Sequence, residues 1–191
     1  MKIAVYPGSF NPLHIGHLAI MEHLTGKMDF DQVYLIVSPQ NPFKEEGLRQ
    51  SGKDRYEAAV KAVARHPGLK VKVDDIELNM PAPQYTIRTL DALAAREPGN
   101  SFTLIIGADN LASIGRWRDS VRILSEYGVA AYPRKGFDME GIRARLLSEK
   151  PAGASPFRIE TIDAPLVEIS SSEIRHAIAE GRDKDIEKYL M

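Results

Sequence analysis

His14 and His17 stand three positions apart in the run Gly8-Ser9-Phe10-Asn11-Pro12-Leu13-His14-Ile15-Gly16-His17, directly after the apolar segment Ile3–Tyr6. If a helix opens near Gly16-His17, that spacing aims both imidazoles the same way. The first N–H groups of a helix have no intrahelical partner and carry partial positive charge. Two imidazoles beside such amides form a cradle for phosphate oxygens, suited to an α-phosphate under attack and to charge growing on a departing pyrophosphate. Gly8 offers backbone without a Cβ where a ligand needs close approach. A histidine pair satisfied by backbone groups is the plainer reading of H-x-x-H alone. Its position after a first strand, between Gly8-Ser9 and Gly16, favours the phosphate site. Zinc is disfavoured, because H-E-x-x-H and cysteine are both missing.

A second group of anion-binding residues lies near the other end, in Ile169-Ser170-Ser171-Ser172-Glu173-Ile174-Arg175. Ser170 with Glu173 fits the S-x-x-E capping box, and Ile174, Ala177 and Ile178 supply an apolar stripe behind it. The hydroxyls of Ser171 and Ser172, the helix amides and Arg175 together suit a polyphosphate. Three further segments carry chemistry. Lys44, ending Ser38-Pro39-Gln40-Asn41-Pro42-Phe43-Lys44, is suited to neutralise a substrate phosphate. Gln84-Tyr85-Thr86-Ile87 opens a helix whose amides suit a carboxylate. Gly107 and Asp109 follow an apolar run, where a glycine admits a nucleotide and an acid accepts from ribose hydroxyls. Trp117, the single tryptophan, lies between Arg116 and Arg118. It reads either as a core residue or as a platform for a flat ring.

The elements that must position these residues alternate along the chain. Strands are expected at Ile3–Tyr6, Val33–Val37, Val71–Val73, Phe102–Ile106, Val129–Tyr132 and Phe157–Ile162. Helical stripes lie between them: Tyr56, Ala59, Val60, Val63 and Ala64, ended by His66-Pro67-Gly68, then Ile87, Leu90, Leu93 and Ala94, ended by Glu97-Pro98-Gly99. Such alternation predicts an α/β fold, doubly wound and mostly parallel, with helices on both faces of the sheet. A single domain over residues 1–191 is expected, with a small C-terminal helical subdomain from Ser171 onward. Pro39–Lys53 and Lys150–Pro156 are expected as flexible loops. Ligands of open parallel sheets bind beyond the carboxyl ends of the strands, so the residues that follow a strand come first.

Composition narrows the partners. Hydrophobic residues make up 43% and charged residues 27%, a globular balance able to support a core. With 25 basic and 26 acidic residues the formal charge is -1, which speaks against nucleic acid and for a small anionic substrate. No apolar stretch approaches the ~20 residues of a membrane helix, and no signal peptide is legible. The cysteine count is zero, which fits a reducing cytoplasm and removes disulfide and thiolate chemistry.

The motifs together carry a resemblance. His14-Ile15-Gly16-His17 resembles the H/T-x-G-H signature of the nucleotidyltransferase superfamily, which includes the class I aminoacyl-tRNA synthetases. Ile169–Arg175 resembles its second signature, I-S-S-T-x-I-R, with Ser172 keeping the hydroxyl of the usual threonine. The resemblance spans nearly the whole chain. It implies a Rossmann-like fold and direct attack on the ATP α-phosphate without a covalent enzyme intermediate. His14 and His17 would be the catalytic pair, and Gly8, Ser9, Phe10, Gly107, Asp109, Ser171, Ser172 and Arg175 would join them around ATP.

The inner segments are similar to S-x-x-x-P-x-K, S-Y-T-x-x-T-L and I-G-A-D-x-L of bacterial nicotinate-nucleotide adenylyltransferases. That likeness implies nicotinate mononucleotide as second substrate, deamido-NAD and pyrophosphate as products, and Mg²⁺ carried with the ATP phosphates. Asn11 and Lys44 would lie at the mononucleotide, with Lys44 on its phosphate. Thr86, beside Tyr85 and with the backbone of Arg118, would hold the nicotinate carboxylate, and Trp117 would stack on the pyridine. Two departures bear on substrate. Tyr6-Pro7-Gly8-Ser9-Phe10 is closer to the sister phosphopantetheine adenylyltransferases than to the usual G-G-T-F-D-P. That sister, however, usually has threonine at the position of His14 and lacks the Trp117 region. Gln84 replaces a serine, which bears on acid-versus-amide selectivity.

Other classes fare worse. Gly47-Leu48-Arg49-Gln50-Ser51-Gly52-Lys53-Asp54 nearly matches a P-loop, but Asp54 stands where a hydroxyl should hold Mg²⁺. G-x-G-x-x-G is missing, against a dehydrogenase. A nucleotide-sensing module that lost its chemistry should have lost one of His14 and His17, and both remain.

Overall fold

The computed structural model describes residues 1–39, 51–164 and 169–191. Six parallel strands form one sheet: β1 (Lys2–Gly8), β2 (Gln32–Val37), β3 (Val71–Asp74), β4 (Ser101–Gly107), β5 (Val129–Tyr132) and β6 (Ile159–Thr161). Their spatial order is β3-β2-β1-β4-β5-β6, and each coincides with an expected strand. Continuous apolar runs form the central strands because both faces of the sheet are covered. Ile3 and Val5 of β1 face one buried layer, and Ala4 and Tyr6 face the other.

On one face pack α1 (Ile15–Gly26) and α2 (Gly52–Ala64), through Ile20, Met21, Leu24, Ala59 and Ala62. The other carries α3 (Thr86–Arg96), α4 (Ala108–Ser113), α5 (Ser120–Arg122, continued by a π turn, Ile123–Tyr127) and α6 (Met139–Ser148). Leu90, Leu93, Leu104, Leu111 and Ile123 are fully buried there; each such side chain stabilises by roughly 1.5–3 kcal/mol. The chain then forms α7 (Ser171–Ala179) and α8 (Asp183–Ile186), whose Ile174, Ala177 and Ile186 make a small cluster of their own.

Three local expectations are corrected. Val60 and Ile178, placed on buried stripes, are 40% and 48% exposed, and Ala64 is exposed as well. On α2 the inward face is built from Arg55, Ala59 and Ala62, which rotates Val60 outward. On α7, Ile174 and Ala177 suffice for the narrow contact with α8. Gly52 and Lys53, expected in a loop, begin α2, because Ser51 and Asp54 cap it reciprocally. Asp54 of the P-loop-like stretch is therefore a helix cap. The rest of that stretch and of the expected loop, residues 40–50, including Asn41 and Lys44, lies outside the described residues. Among the described residues no helix is long and apolar enough to cross a membrane.

β1 and β4 are neighbours, and successive strands proceed outward from them in opposite directions. Their carboxyl ends therefore open a crevice at the point where the winding reverses. Both α1 and α4 begin there.

Candidate active site

The turn after β1 ends at His14, which is the N-cap of α1 in an extended conformation. The Nδ1 atom of His14 accepts from the Gly16 N–H at 3.2 Å, and the Nδ1 of His17 accepts from the His14 N–H at 3.1 Å. The two rings lie 3.8 Å apart. This is the helix-cap role expected of a plain H-x-x-H, with a chemical consequence. A neutral imidazole that accepts at Nδ1 carries its proton on Nε2. Both residues thus hold an Nε2–H donor, and both line a cleft of about 530 Å³ with Tyr6, Asp109, Arg134 and Glu173.

Electrostatics keep these rings neutral. Burial lowers the His14 pKa to about 4, the Arg134 charge adds to the fall, and Glu173 partly opposes it. Burial pushes His17 well below its ordinary value, with His14 and Arg134 acting in the same direction. A cradle of neutral donors suits phosphate oxygens, which accept from it without removing a proton.

The Phe10 ring meets His17 edge-on at 5.2 Å and Tyr6 at 5.5 Å. A Cβ on Gly8 would come within 2.8 Å of that ring, so Phe10 packs against the bare face of Gly8. Phe10 itself holds φ at 45°, an unfavourable backbone state for a bulky residue. The conformation is offset by burial of the ring, which is 4% exposed.

Arg134 is the residue that sequence reading missed. It follows β5, its Nη2 donates to the Tyr132 hydroxyl at 3.3 Å, and its Nε lies 3.6 Å from Asp109 Oδ1. Its signal was available, since it stands just beyond the carboxyl end of a parallel strand. Gly107 lies against the same pair, since a Cβ there would run into Asp109 and lie 3.0 Å from Arg134 Nε.

The C-terminal motif folds against the first turn. Ser171 Oγ donates to the Pro12 carbonyl at 3.0 Å, and Arg175 donates to the Asn11 carbonyl at 2.8 Å and to Ser172 Oγ at 3.0 Å. The capping box is present too, with Ser170 Oγ accepting from the Glu173 N–H and the Glu173 carboxylate accepting from the Ser170 N–H. The serines and arginine therefore brace the histidine turn; the cleft itself is lined by Ile169, Ser170 and Glu173 from this segment.

A third group gathers at the start of α3. Tyr85 is its N-cap residue with no side-chain capping bond, Thr86 is its first residue, and the Arg118 guanidinium lies 5.7 Å from the centre of the Tyr85 ring. Trp117 is partly buried against the core. None of these four lines the histidine cleft. Ser9, between Gly8 and Phe10, offers its carbonyl to the buried Arg55 at 2.7 Å. Among the described residues no group of three or more His, Asp or Glu side chains gathers as a metal cage requires.

Comparison with known proteins follows this geometry. The cytidylyltransferase-like family profile matches residues 5–177. A probable nicotinate-nucleotide adenylyltransferase of Flavobacterium johnsoniae is 37% identical over 183 residues, covering 96% of this chain and 89% of the relative. One of Bacteroides fragilis is 38% identical over 182 residues, covering 95% and 84%. Among solved structures, Plasmodium falciparum nicotinic acid mononucleotide adenylyltransferase complexed with NaAD superposes with a TM-score of 0.77 at 19% identity, covering 99% of this chain and 90% of that one.

Proposed function

The chain belongs to the cytidylyltransferase-like family and, within it, to the nicotinate-nucleotide adenylyltransferases, and from that premise we propose that it transfers AMP from ATP to nicotinate mononucleotide, forming deamido-NAD and pyrophosphate. The observation that carries the reading is the pair of neutral Nε2–H donors of His14 and His17 in a cleft shared with Arg134.

A phosphate oxygen of the mononucleotide attacks the ATP α-phosphorus in line. The new P–O bond forms as the bond from that phosphorus to the α–β bridging oxygen of ATP breaks, and that oxygen leaves with pyrophosphate. The attacking phosphate is already anionic near neutral pH, so no general base is needed. Catalysis then rests on positioning and on charge stabilisation at the α-phosphate and the leaving group. His14 and His17 donate to the α-phosphate oxygens. Arg134 adds positive charge to the same cleft, and Asp109 turns toward the nucleotide sugars. The start of α7, with Ser171, Ser172 and Arg175, keeps the phosphate turn in register. Mg²⁺ enters with the ATP phosphates as part of that substrate.

On the mononucleotide side, Lys44 neutralises the attacking phosphate, and Thr86 with the Arg118 backbone receives the nicotinate carboxylate at the start of α3. Trp117 offers its exposed portion to the pyridine. The whole chain works as one domain, and its lack of cysteine suits the cytoplasm.

Pyrophosphate release tests the reading, with ATP and, in turn, nicotinate mononucleotide, nicotinamide mononucleotide and phosphopantetheine. Turnover at least about tenfold more efficient with the nicotinate form, a difference of about 1.4 kcal/mol in transition-state binding, is the expected result. Preference for phosphopantetheine would move the protein to the sister enzyme. No release with any acceptor would make it a nucleotide-binding module.

A further inference from the structure

Among the described residues Arg55 is the largest side chain fully withdrawn from solvent, with 1% of its surface exposed. It projects from the first turn of α2, and a single nitrogen, Nη1, donates to two carbonyls: Ser9 at 2.7 Å and Ser38 at 2.8 Å. Among the described residues Nε and Nη2 have no hydrogen-bond partner, and no carboxylate pairs with this charge. An unsatisfied buried donor costs roughly 1–3 kcal/mol, and more when it is charged. An apolar side chain would fill the space without that cost. A buried cation kept against its own stability points to function, because rules of local consistency are broken chiefly at working sites.

What the guanidinium joins indicates the work. Ser9 follows β1 and leads into the turn of His14 and His17. Ser38 follows β2, and its N–H donates to the Gly8 carbonyl at 2.9 Å, extending the β1–β2 ladder by one step. In sequence, Ser9 leads to the histidines, and Ser38 opens the stretch assigned above to the mononucleotide phosphate. Arg55 is the one side chain among the described residues that bonds to the backbone of both exits.

We propose that Arg55 is a positioning residue that fixes the distance between the phosphate turn and the exit of β2, and so sets the line of attack of the mononucleotide on the α-phosphate. This rests on the adenylyl-transfer reading above. The far side of the phosphate turn is held independently, by Ser171 on Pro12 and Arg175 on Asn11. Loss of the Arg55 bridge therefore frees the β2 exit relative to a turn that stays in place. The effect falls on the mononucleotide and on turnover, and it spares ATP.

Arg55→Lys is the first test. Lysine keeps the charge, but its ammonium ends one bond short of the Nη1 position that meets both carbonyls from α2. The expected result is a rise of about tenfold in KM for nicotinate mononucleotide with a lower kcat, a change under about twofold in KM for ATP, and a melting temperature within a few degrees of wild type. Equal rises in both KM values overturn the proposal, as does a lowered melting temperature with both KM values unchanged, which is the signature of a purely structural arginine. Amide hydrogen exchange without substrates is the second measurement. Arg55→Lys should speed exchange at Ser38, whose N–H bonds the Gly8 carbonyl, while leaving Leu104–Ile106 in β4 protected. Unchanged exchange at Ser38 overturns the coupling whether or not the protein turns over. Should wild type make no dinucleotide, the adenylyl-transfer reading fails by itself, and the exchange result still decides the bridge.

Discussion

Arg175 reaches across 164 residues of sequence to donate Nη1 to the Asn11 carbonyl at 2.8 Å. The start of α7 and the turn after β1 thereby share one hydrogen-bonded joint, to which Ser171 adds a bond on the next residue, Pro12. Groups whose types suggest phosphate binding are used, in the structure without substrates, to hold the histidine turn. Both uses are compatible. Arg175 Nη1 and Nη2 are engaged with Asn11 and Ser172, which leaves the α7 amides and Nε for an anion.

Breaking this joint should loosen ATP binding before it unfolds the protein. Arg175→Met is expected to raise KM for ATP about tenfold and to lower stability by roughly 1.5–3 kcal/mol, the usual worth of charge-assisted hydrogen bonds. Ser171→Ala should cost about 1 kcal/mol with a smaller effect on KM. Steady-state kinetics beside urea melts separate the two. Wild-type KM in Arg175→Met would show that the joint has no role in catalysis.

The depressed histidine pKa values predict how stability follows pH. The unfolded chain binds a proton on His14 near pH 6.5, the folded chain only near about 4. Between those values the unfolded state holds more protons, so stability falls as pH drops through that window and is unaffected by this group above it. His17 acts in the same direction. Melting temperatures from pH 4 to 8 should therefore decline on the acid side, and His14→Gln should flatten the decline. An identical slope in the variant would contradict the neutral assignment.

Arg134 lowers the pKa of both histidines through space. Replacing it with glutamine removes that charge while keeping polar character. Both imidazole pKa values should rise, which NMR titration of the ring protons would read directly, and affinity for ATP should fall at least about tenfold. Salt should weaken ATP binding less in the variant than in wild type, because fewer charges are left to screen. Unmoved histidine titrations would place Arg134 outside the site.

Gly107→Ala offers a gentle probe of the other wall. The added methyl meets the end of the Asp109 side chain and the middle of the Arg134 side chain, both on flexible stems that can turn aside at little cost to the fold. Melting should change by less than about 1 kcal/mol in stability, within the usual range for substitutions that break no buried feature. KM for ATP should rise several-fold as the Asp109–Arg134 pair is displaced. A large loss of stability with normal KM would make Gly107 a packing residue only.

How much of this was legible beforehand depends on the range of the interaction. Six apolar runs of strand length, separated by helical stripes, were enough to establish the doubly wound sheet, because burial on both faces writes itself into a continuous local pattern. The caps at Ser170 and His14 are equally local, resting on neighbours within three residues, whereas the cap at Ser51 falls where a loop is expected. Val60 and Ile178 were misplaced because periodicity defines a face only to within about one residue, and the neighbour that packs there chooses among the candidates.

The chain by itself determined the elements, their caps and the two histidines at a strand's end, since those follow from backbone sterics and the spacing of apolar side chains. Tertiary structure alone decided which distant groups meet: Arg175 with Asn11, Arg134 with Asp109, Arg55 with Ser9 and Ser38. It also decided the charge state of the histidines, because desolvation depends on everything that surrounds a ring, and spacing along a chain carries no measure of that.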